Sequence, residues 1–314
     1  MPEMYDTIII GAGVAGLGAA IYSGRFEMKT LLISENIGGT IMNTNEVANY
    51  PGFNLISGID LVDKLQNHVK DYKVDIENKK VDKVEKTPSI FKVKAQDKTF
   101  ESKTVIFATG TEWRKLNVPG EKEFSGKGVH YCALCDGSFY KDKAVAVVGG
   151  SDSAAKDALL LTQYAKKVYI IYRKEKIRAE PITKAKVDGN EKIEVINNTN
   201  VTEIRGEKFV NKLILDNEYN NSKEFPIDAV FIDIGHIPIS DLAKGTGVEL
   251  DEKGEVKLDR RGFTNIEGAF AAGDVTNTRF KQAITGVAEG VTAAYNAYNH
   301  VDKGNVIDRG ITGR

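Results

Sequence analysis

The chain has 314 residues, of which 41% are hydrophobic and 28% charged, with 43 basic side chains against 44 acidic ones for a net charge of −1. That length exceeds what one hydrophobic core usually organises, so two domains are expected. The balanced charge excludes a strong field for nucleic acid or an anionic membrane, and two cysteines are too few for a secreted disulfide framework, which suits a reducing, cytoplasmic setting.

The first element is a β-rich run, YDTIII, and GAGVAG follows it at once. LGAAIYSGRF then reads as a small-residue helix. Thr7 to Gly24 carries no charge, which raises the question of a membrane span. Its five glycines dilute the hydrophobicity, and Glu3 and Asp6 precede it where a signal peptide would be basic, so neither a span nor a signal is expected. A nucleotide explains the glycines better. Gly11 permits a tight turn, Gly13 lets backbone approach a pyrophosphate, and Gly16 lets the helix pack on the strand. The helix N-terminus would then offer its free N–H groups to the phosphates. A second strand, KTLLIS, ends at Glu35, 19 positions after Gly16, where an acid would bind a ribose hydroxyl.

Residues 74–110 alternate apolar and charged positions, as in a small antiparallel sheet wet on one face, and end in the buried run VIFATG. Next comes VHYCALCDGS, which holds both cysteines, Cys132 and Cys135. Four readings apply to it. A metal site ordinarily takes four ligands, and H-x-C-x-x-C supplies three at most. A c-type haem needs histidine directly after Cys135, where Asp136 stands. Two inert thiols, or a redox pair closing a small ring, remain.

The nucleotide pattern then recurs 138 residues after Gly11 as KAVAVV, GGSDSA and AKDALLLTQYA. Ser151 occupies the place of the second glycine, where its side chain would either crowd a pyrophosphate or hydrogen-bond it. The following strand, KVYIIY, ends not in an acid but in Arg173 and Lys174, with Arg178 close behind. An acid repels a 2′-phosphate and an arginine accommodates it, so the first site suits FAD and the second leans toward NADP(H). Residues 192–235 repeat the β excursion and end in a buried strand and Gly235. The tail carries GAFAAGDV and then a helical pattern over 276–300. If that tail belongs with the first fingerprint, the second copy is an insertion. The expected fold is α/β with two Rossmann-like dinucleotide-binding domains of three-layer ββα form, the NAD(P)-binding domain inserted in the FAD-binding domain. The expected spans are 1–113 and 242–314 for FAD and 114–241 for NAD(P)H, the latter carrying the C-x-x-C.

In this order the motifs resemble the low-molecular-weight thioredoxin reductases, over nearly the whole chain. CALCDG resembles the family's redox-active C-x-x-C-D, YRKEKIR its HRR-x-x-x-R segment, and GHIPIS its GHxP turn. The resemblance implies FAD held by Gly11, Gly13, Ala15 and Gly16 of GAGVAG, with Glu35, Gly39 and Thr40 beyond. It adds Asn49 of EVANYPGF, Thr109 and Gly110 of ATG, Gly273 and Asp274 of AAGDV, and Lys281, Gln282 and Ala283 of FKQAITG. NADPH falls to Gly149, Gly150, Ser151, Asp152 and Ser153, with Arg173, Lys174 and Arg178; no metal is implied.

By the same resemblance Cys135 faces the flavin, Cys132 attacks the substrate disulfide, and Asp136 is the acid–base group, in a partly apolar site. The partners implied are a thioredoxin-like protein and a second copy of the chain. Rotation of one domain on the other is also implied, with hinges at Trp113 to Val118 and Ser240 to Gly245. Four positions depart from the family pattern: Ser151, Tyr172, Lys174, and Lys281 in place of an arginine. The first three keep open another donor, NADH or reduced ferredoxin. A third possibility is a nucleotide-binding redox sensor without turnover.

Overall fold

The computed structural model describes residues 4–44 and 47–302. Glu46 of EVANYPGF and positions 303–314 of the last expected span lie outside the described residues. The chain divides into two compact units, Met1–Glu112 with Pro238–Arg314, and Trp113–Ile237.

The first unit begins with β1 (Met4–Gly13), α1 (Val14–Arg25) and β2 (Thr30–Gly38), followed by α2 (Gly58–Val69) and β3 (Val74–Glu77). Then come β4 (Lys83–Lys86), β5 (Phe91–Ala95), β6 (Lys98–Phe107) and the short β7 (Thr111–Trp113). One sheet runs β3-β2-β1-β6-β5-β4. β1, β2, β3 and β6 are parallel, and the β4–β5 hairpin joins antiparallel. Strands buried on both faces read as continuous apolar runs, and the isoleucines of β1 divide between the two faces. Ile9 joins the helix side with Leu17, Ala20 and Ile106, whereas Ile8 and Ile10 join Val84, Phe91 and Val93. The uncharged stretch 7–24 is thus half strand and half helix, and no described helix is long and apolar enough to cross a membrane.

The second unit opens with β8 (Val129–His130), α3 (Ala133–Asp136), β9 (Ala144–Val148), α4 (Asp152–Leu161) and β10 (Lys167–Ile171). It continues with α5 (Pro181–Asp188), β11 (Ile193–Ile196), β12 (Val201–Gly206), β13 (Val210–Tyr219), β14 (Ser222–Pro226), β15 (Ala229–Ile232) and β16 (His236–Pro238). Five parallel strands lie in the order β11-β10-β9-β15-β8. Val145, Val147, Val168 and Ile170 face the helices, while Ala146, Val148, Val230 and Ile232 meet Leu213, Leu215 and Phe225 of the β12-β13-β14 sheet. The result is the three-layer ββα arrangement expected from the sequence.

The chain then returns to the first unit through α6 (Asp241–Gly245), β17 (Ala269–Ala271) and α7 (Ala283–Val301). β17 pairs with the far half of β6, past the point where β5 stops, so one long strand serves both neighbours. The helical pattern expected from residue 276 begins only at Ala283. Gln282 and Thr285 cap one another reciprocally there, which gives the first turn its hydrogen-bond partners and sets the start.

Candidate active site

Cys132 and Cys135 form a disulfide with Cα atoms 5.3 Å apart. β8 leads into it, held in the sheet by the pairs Val129–Val230 and His130–Phe231. Cys132 is the N-cap of α3, and its sulfur accepts a hydrogen bond from the Cys135 amide at 3.0 Å. Cys135 is exposed and Cys132 half-buried. Asp136 ends α3 half-buried, and its Oδ2 lies 3.0 Å from His130 Nδ1. The other ring nitrogen of His130 meets the Tyr140 hydroxyl at 2.7 Å. His130 therefore turns its nitrogens to Asp136 and Tyr140, not to the sulfurs. On the other flank, the Tyr131 hydroxyl donates to buried Glu121 at 2.7 Å, and burial together with that carboxylate raises its pKa. Glu121 also accepts from the amides of Leu116 and Asn117, at 2.9 and 2.6 Å. Phe139, three residues after Asp136, is 74% exposed.

In the first unit, the G-x-G-x-x-G turn is built by close approach. A Cβ on Gly11 would lie 2.3 Å from the Ala108 carbonyl oxygen, and one on Gly16 1.9 Å from that of Gly11. Gly13 differs: nothing comes closer than 3.9 Å to its would-be Cβ, and no side chain caps α1. Open space in front of free helix amides fits a pyrophosphate. β1 runs on through the turn, with a bulge between the pairs Ile10–Ile33 and Ala12–Ile37. Glu35 is exposed in the unpaired stretch of β2 opposite that bulge.

Other predicted residues converge on the same turn. Gly39 packs on Gly13 and half-buried Thr40 follows it; Thr109 lies against the Gly11 side and Gly273 against Ala15. Thr109 Oγ1 donates to the Ile239 carbonyl at 2.5 Å, and the Gly110 carbonyl accepts from the Ile239 amide at 3.0 Å. Asn49 donates to Gln282 Oε1 at 2.9 Å, joining EVANYPGF to FKQAITG, and Ala283 packs into the small core of Val47 and Ile56. Lys281 Nζ contacts Glu255 at 2.6 Å and the Asp274 carbonyl at 2.7 Å, so the lysine braces the AAGDV turn. Glu289, not anticipated from the sequence, accepts from the Gly273 amide at 2.8 Å and from Thr276 at 3.2 Å. Its signal was available: an acid within an otherwise small and apolar helical face.

In the second unit, Ser151 is the N-cap of α4, and its hydroxyl accepts from the Ala154 amide at 3.2 Å. The serine thus takes up one helix amide. Asp152 accepts from the Glu180 amide at 2.8 Å and pairs with Lys156 at 2.7 Å. Burial opposes its charge, but those partners hold its pKa below the usual range. Ser153 is exposed. The Arg178 amide donates to the Gly150 carbonyl at 2.6 Å, folding the basic segment back over the turn. Arg173, Lys174 and Arg178 are all exposed, and no ion pair is formed by any of them among the described residues. Tyr172 stands apart from them: it is 6% exposed, with its ring where a Cβ on Gly150 would come within 2.3 Å. Two further carboxyls went unanticipated. Burial and then the charge of Asp233 push Asp157 up to about 8, and burial likewise raises Asp233.

Two glycine turns of dinucleotide type and a C-x-x-C disulfide define a flavin- and nicotinamide-dependent disulfide oxidoreductase, and the chain belongs to the pyridine nucleotide-disulphide oxidoreductase family, whose model matches residues 5–290. It is 40% identical to the thioredoxin reductase of Bacillus subtilis, over 96% of both chains. Among solved structures it is similar to Lactococcus lactis thioredoxin reductase, with TM-score 0.91, 37% identity and coverage of 95% of this chain and 99% of that one. T. acidophilum thioredoxin reductase follows with TM-score 0.88, 35% identity and coverage of 94% and 98%.

Proposed function

We propose that this chain is an FAD-dependent thioredoxin-disulfide reductase, carrying two electrons from NADPH through Cys132–Cys135 to the disulfide of a thioredoxin-like protein. The observation that carries the reading is a disulfide on a short helix leading directly into a nucleotide-type βαβ unit, in a chain with a second such unit. FAD, when bound, supplies two-electron chemistry between the nicotinamide and the disulfide. The residues to hold it are Gly11, Gly13 and the α1 amides at the pyrophosphate, Glu35 at the ribose, and Asn49, Asp274 and Gln282 around the remainder.

The dithiol then acts through its own groups. The Cys135 amide favours a thiolate at Cys132, because a hydrogen bond to the charged form stabilises it. Cys132 gives its proton to Asp136 and attacks one sulfur of the partner disulfide, forming a mixed disulfide, and the displaced partner thiolate takes that proton from Asp136. Cys135 gives its own proton to Asp136 and attacks Cys132 Sγ. The second partner thiolate leaves and collects that proton. Two electrons and two protons pass to the partner, and the Cys132–Cys135 bond is restored. Exposed Phe139 offers the partner an apolar contact beside the disulfide.

The 2′-phosphate of NADPH suits Arg173, Lys174 and Arg178, three exposed cations without ion pairs among the described residues. Anaerobic stopped-flow mixing of the holoenzyme with NADPH or NADH tests the donor. Rapid flavin bleaching by NADPH, slowed about 10-fold or more at low NADPH by Arg173→Ala or Arg178→Ala, is expected. Bleaching by neither nucleotide moves the donor role to another carrier such as reduced ferredoxin. Adding thioredoxin distinguishes an enzyme, which turns over, from a sensor, which does not. The serine variants decide the order of the thiols: Cys135→Ser is expected to trap a mixed disulfide through Cys132, although Cys135 is the more exposed. A homodimer in the cytoplasm follows from the resemblance, and sedimentation velocity of the holoenzyme checks the dimer.

A further inference from the structure

The Asp136 carboxyl is held by a buried histidine. His130 is 7% exposed, with Nδ1 3.0 Å from Asp136 Oδ2 and Nε2 2.7 Å from Tyr140 Oη. Its ring stacks on Phe231 at 5.2 Å and meets Tyr140 edge-on at 5.4 Å. Both nitrogens and one ring face are therefore engaged, and the imidazole is held in place. Burial, then the charges of Asp136 and Asp228, push the Tyr140 hydroxyl up to about 12, so it keeps its proton. Asp228 itself lies 3.5 Å from Lys143. When the imidazole carries one proton, a protonated Tyr140 donates to its Nε2. The single ring hydrogen must then sit on Nδ1, where it donates to Asp136 Oδ2.

We propose that His130 is a positioning residue for dithiol–disulfide exchange: it occupies Oδ2 of Asp136, so that the proton exchanged with the thiols is carried on Oδ1, and Tyr140 fixes the tautomer that permits this. The inference rests on the reading of Asp136 as the acid–base group. No oxidant or reductant beyond the dithiol and the partner disulfide enters the step.

The test uses holoenzyme reduced with dithionite, which is independent of the nicotinamide donor, and follows its single-turnover oxidation by oxidised thioredoxin. His130→Phe keeps the stack and removes both hydrogen bonds. It is expected to slow the exchange about 10-fold or more at saturating thioredoxin and leave the KM for thioredoxin unchanged. His130→Asn, whose amide can donate from near the Nδ1 position, is expected to recover most of the rate. Adding His130→Phe to Asp136→Asn is expected to cost nothing further, because the histidine acts only through that carboxyl.

A wild-type rate in His130→Phe, or additive losses in the double variant, would overturn the proposal. Asp136→Asn at the wild-type rate would instead overturn the reading of Asp136 itself. Flavin content and Tm are measured on each variant. If His130→Phe does not hold flavin, Tyr140→Phe serves in its place, with a slower exchange at unchanged KM expected and a wild-type rate counting against the proposal.

Discussion

Asp157 shows how a single buried carboxyl couples stability to pH. Its pKa is raised from 3.8 to about 8 by burial and by Asp233. Between those values the folded chain binds a proton that the unfolded chain has released, so stability falls as pH rises, by up to about 1.4 kcal/mol per unit. Asp157→Asn is accordingly expected to raise Tm at pH 8 and to leave it nearly unchanged at pH 4.5, as thermal melts at the two pH values would read. Tyr172 gives a second residue-level prediction. Its buried hydroxyl has no hydrogen-bond partner among the described residues, and such a group costs about 1–3 kcal/mol of desolvation. Tyr172→Phe should be neutral or stabilising in a denaturant titration. A lowered midpoint would mean that the hydroxyl has a partner in solution. The Tyr172 departure from the family pattern is thus a packing choice against Gly150, whereas Arg173, Lys174 and Arg178 remain in the solvent.

Helix starts and strand ends do most of the positioning at the next scale. Ser151, the departure that most directly touches the nucleotide turn, is the N-cap of α4. Ser151→Ala is expected to cost about 1 kcal/mol and Ser151→Gly only a few tenths. If the serine also crowds the nucleotide, Ser151→Gly will lower the KM for NADPH while Tm barely moves; an unchanged KM would assign it to the cap alone. α1 and α7 meet through small residues: a Cβ on Gly290 would lie 2.0 Å from the Ala15 carbonyl oxygen. Gly290→Ala should therefore push α7 away from α1 and weaken flavin retention, read as FAD released on gel filtration. The start of α7 at Ala283 was not legible in the small-residue pattern that precedes it, because the capping pair Gln282 and Thr285 acts only once the two side chains meet. The strands β1, β6, β9 and β15 were legible, since each is an apolar run bounded by glycine or a polar residue.

Across the whole chain, the second unit interrupts the first between Glu112 and Pro238. The first unit's sheet therefore closes only when β17 reaches β6, long after the rest of that sheet has been made. A ligand that binds this completed unit stabilises it by mass action. Removing FAD is expected to lower Tm, and titrating it back should raise Tm by an amount that grows with the logarithm of FAD concentration. A Tm indifferent to FAD would remove the flavin from the first site.

The sequence by itself determined the doubled nucleotide plan, the redox pair and the charge difference between Glu35 and Arg173. Each depends on residues close along the chain, where turn geometry and strand length set the spacing. Tertiary structure alone decided the partners that come from far away. Asn49 meets Gln282, Lys281 meets Glu255, Glu289 secures Gly273, and Asp157 shares its burial with Asp233. It also decided that His130 faces Asp136 and Tyr140 rather than the sulfurs. The physical reason is that a side chain's hydrogen bonds follow from which face of its element it occupies and what packs there, and for these residues that neighbour lies on another element.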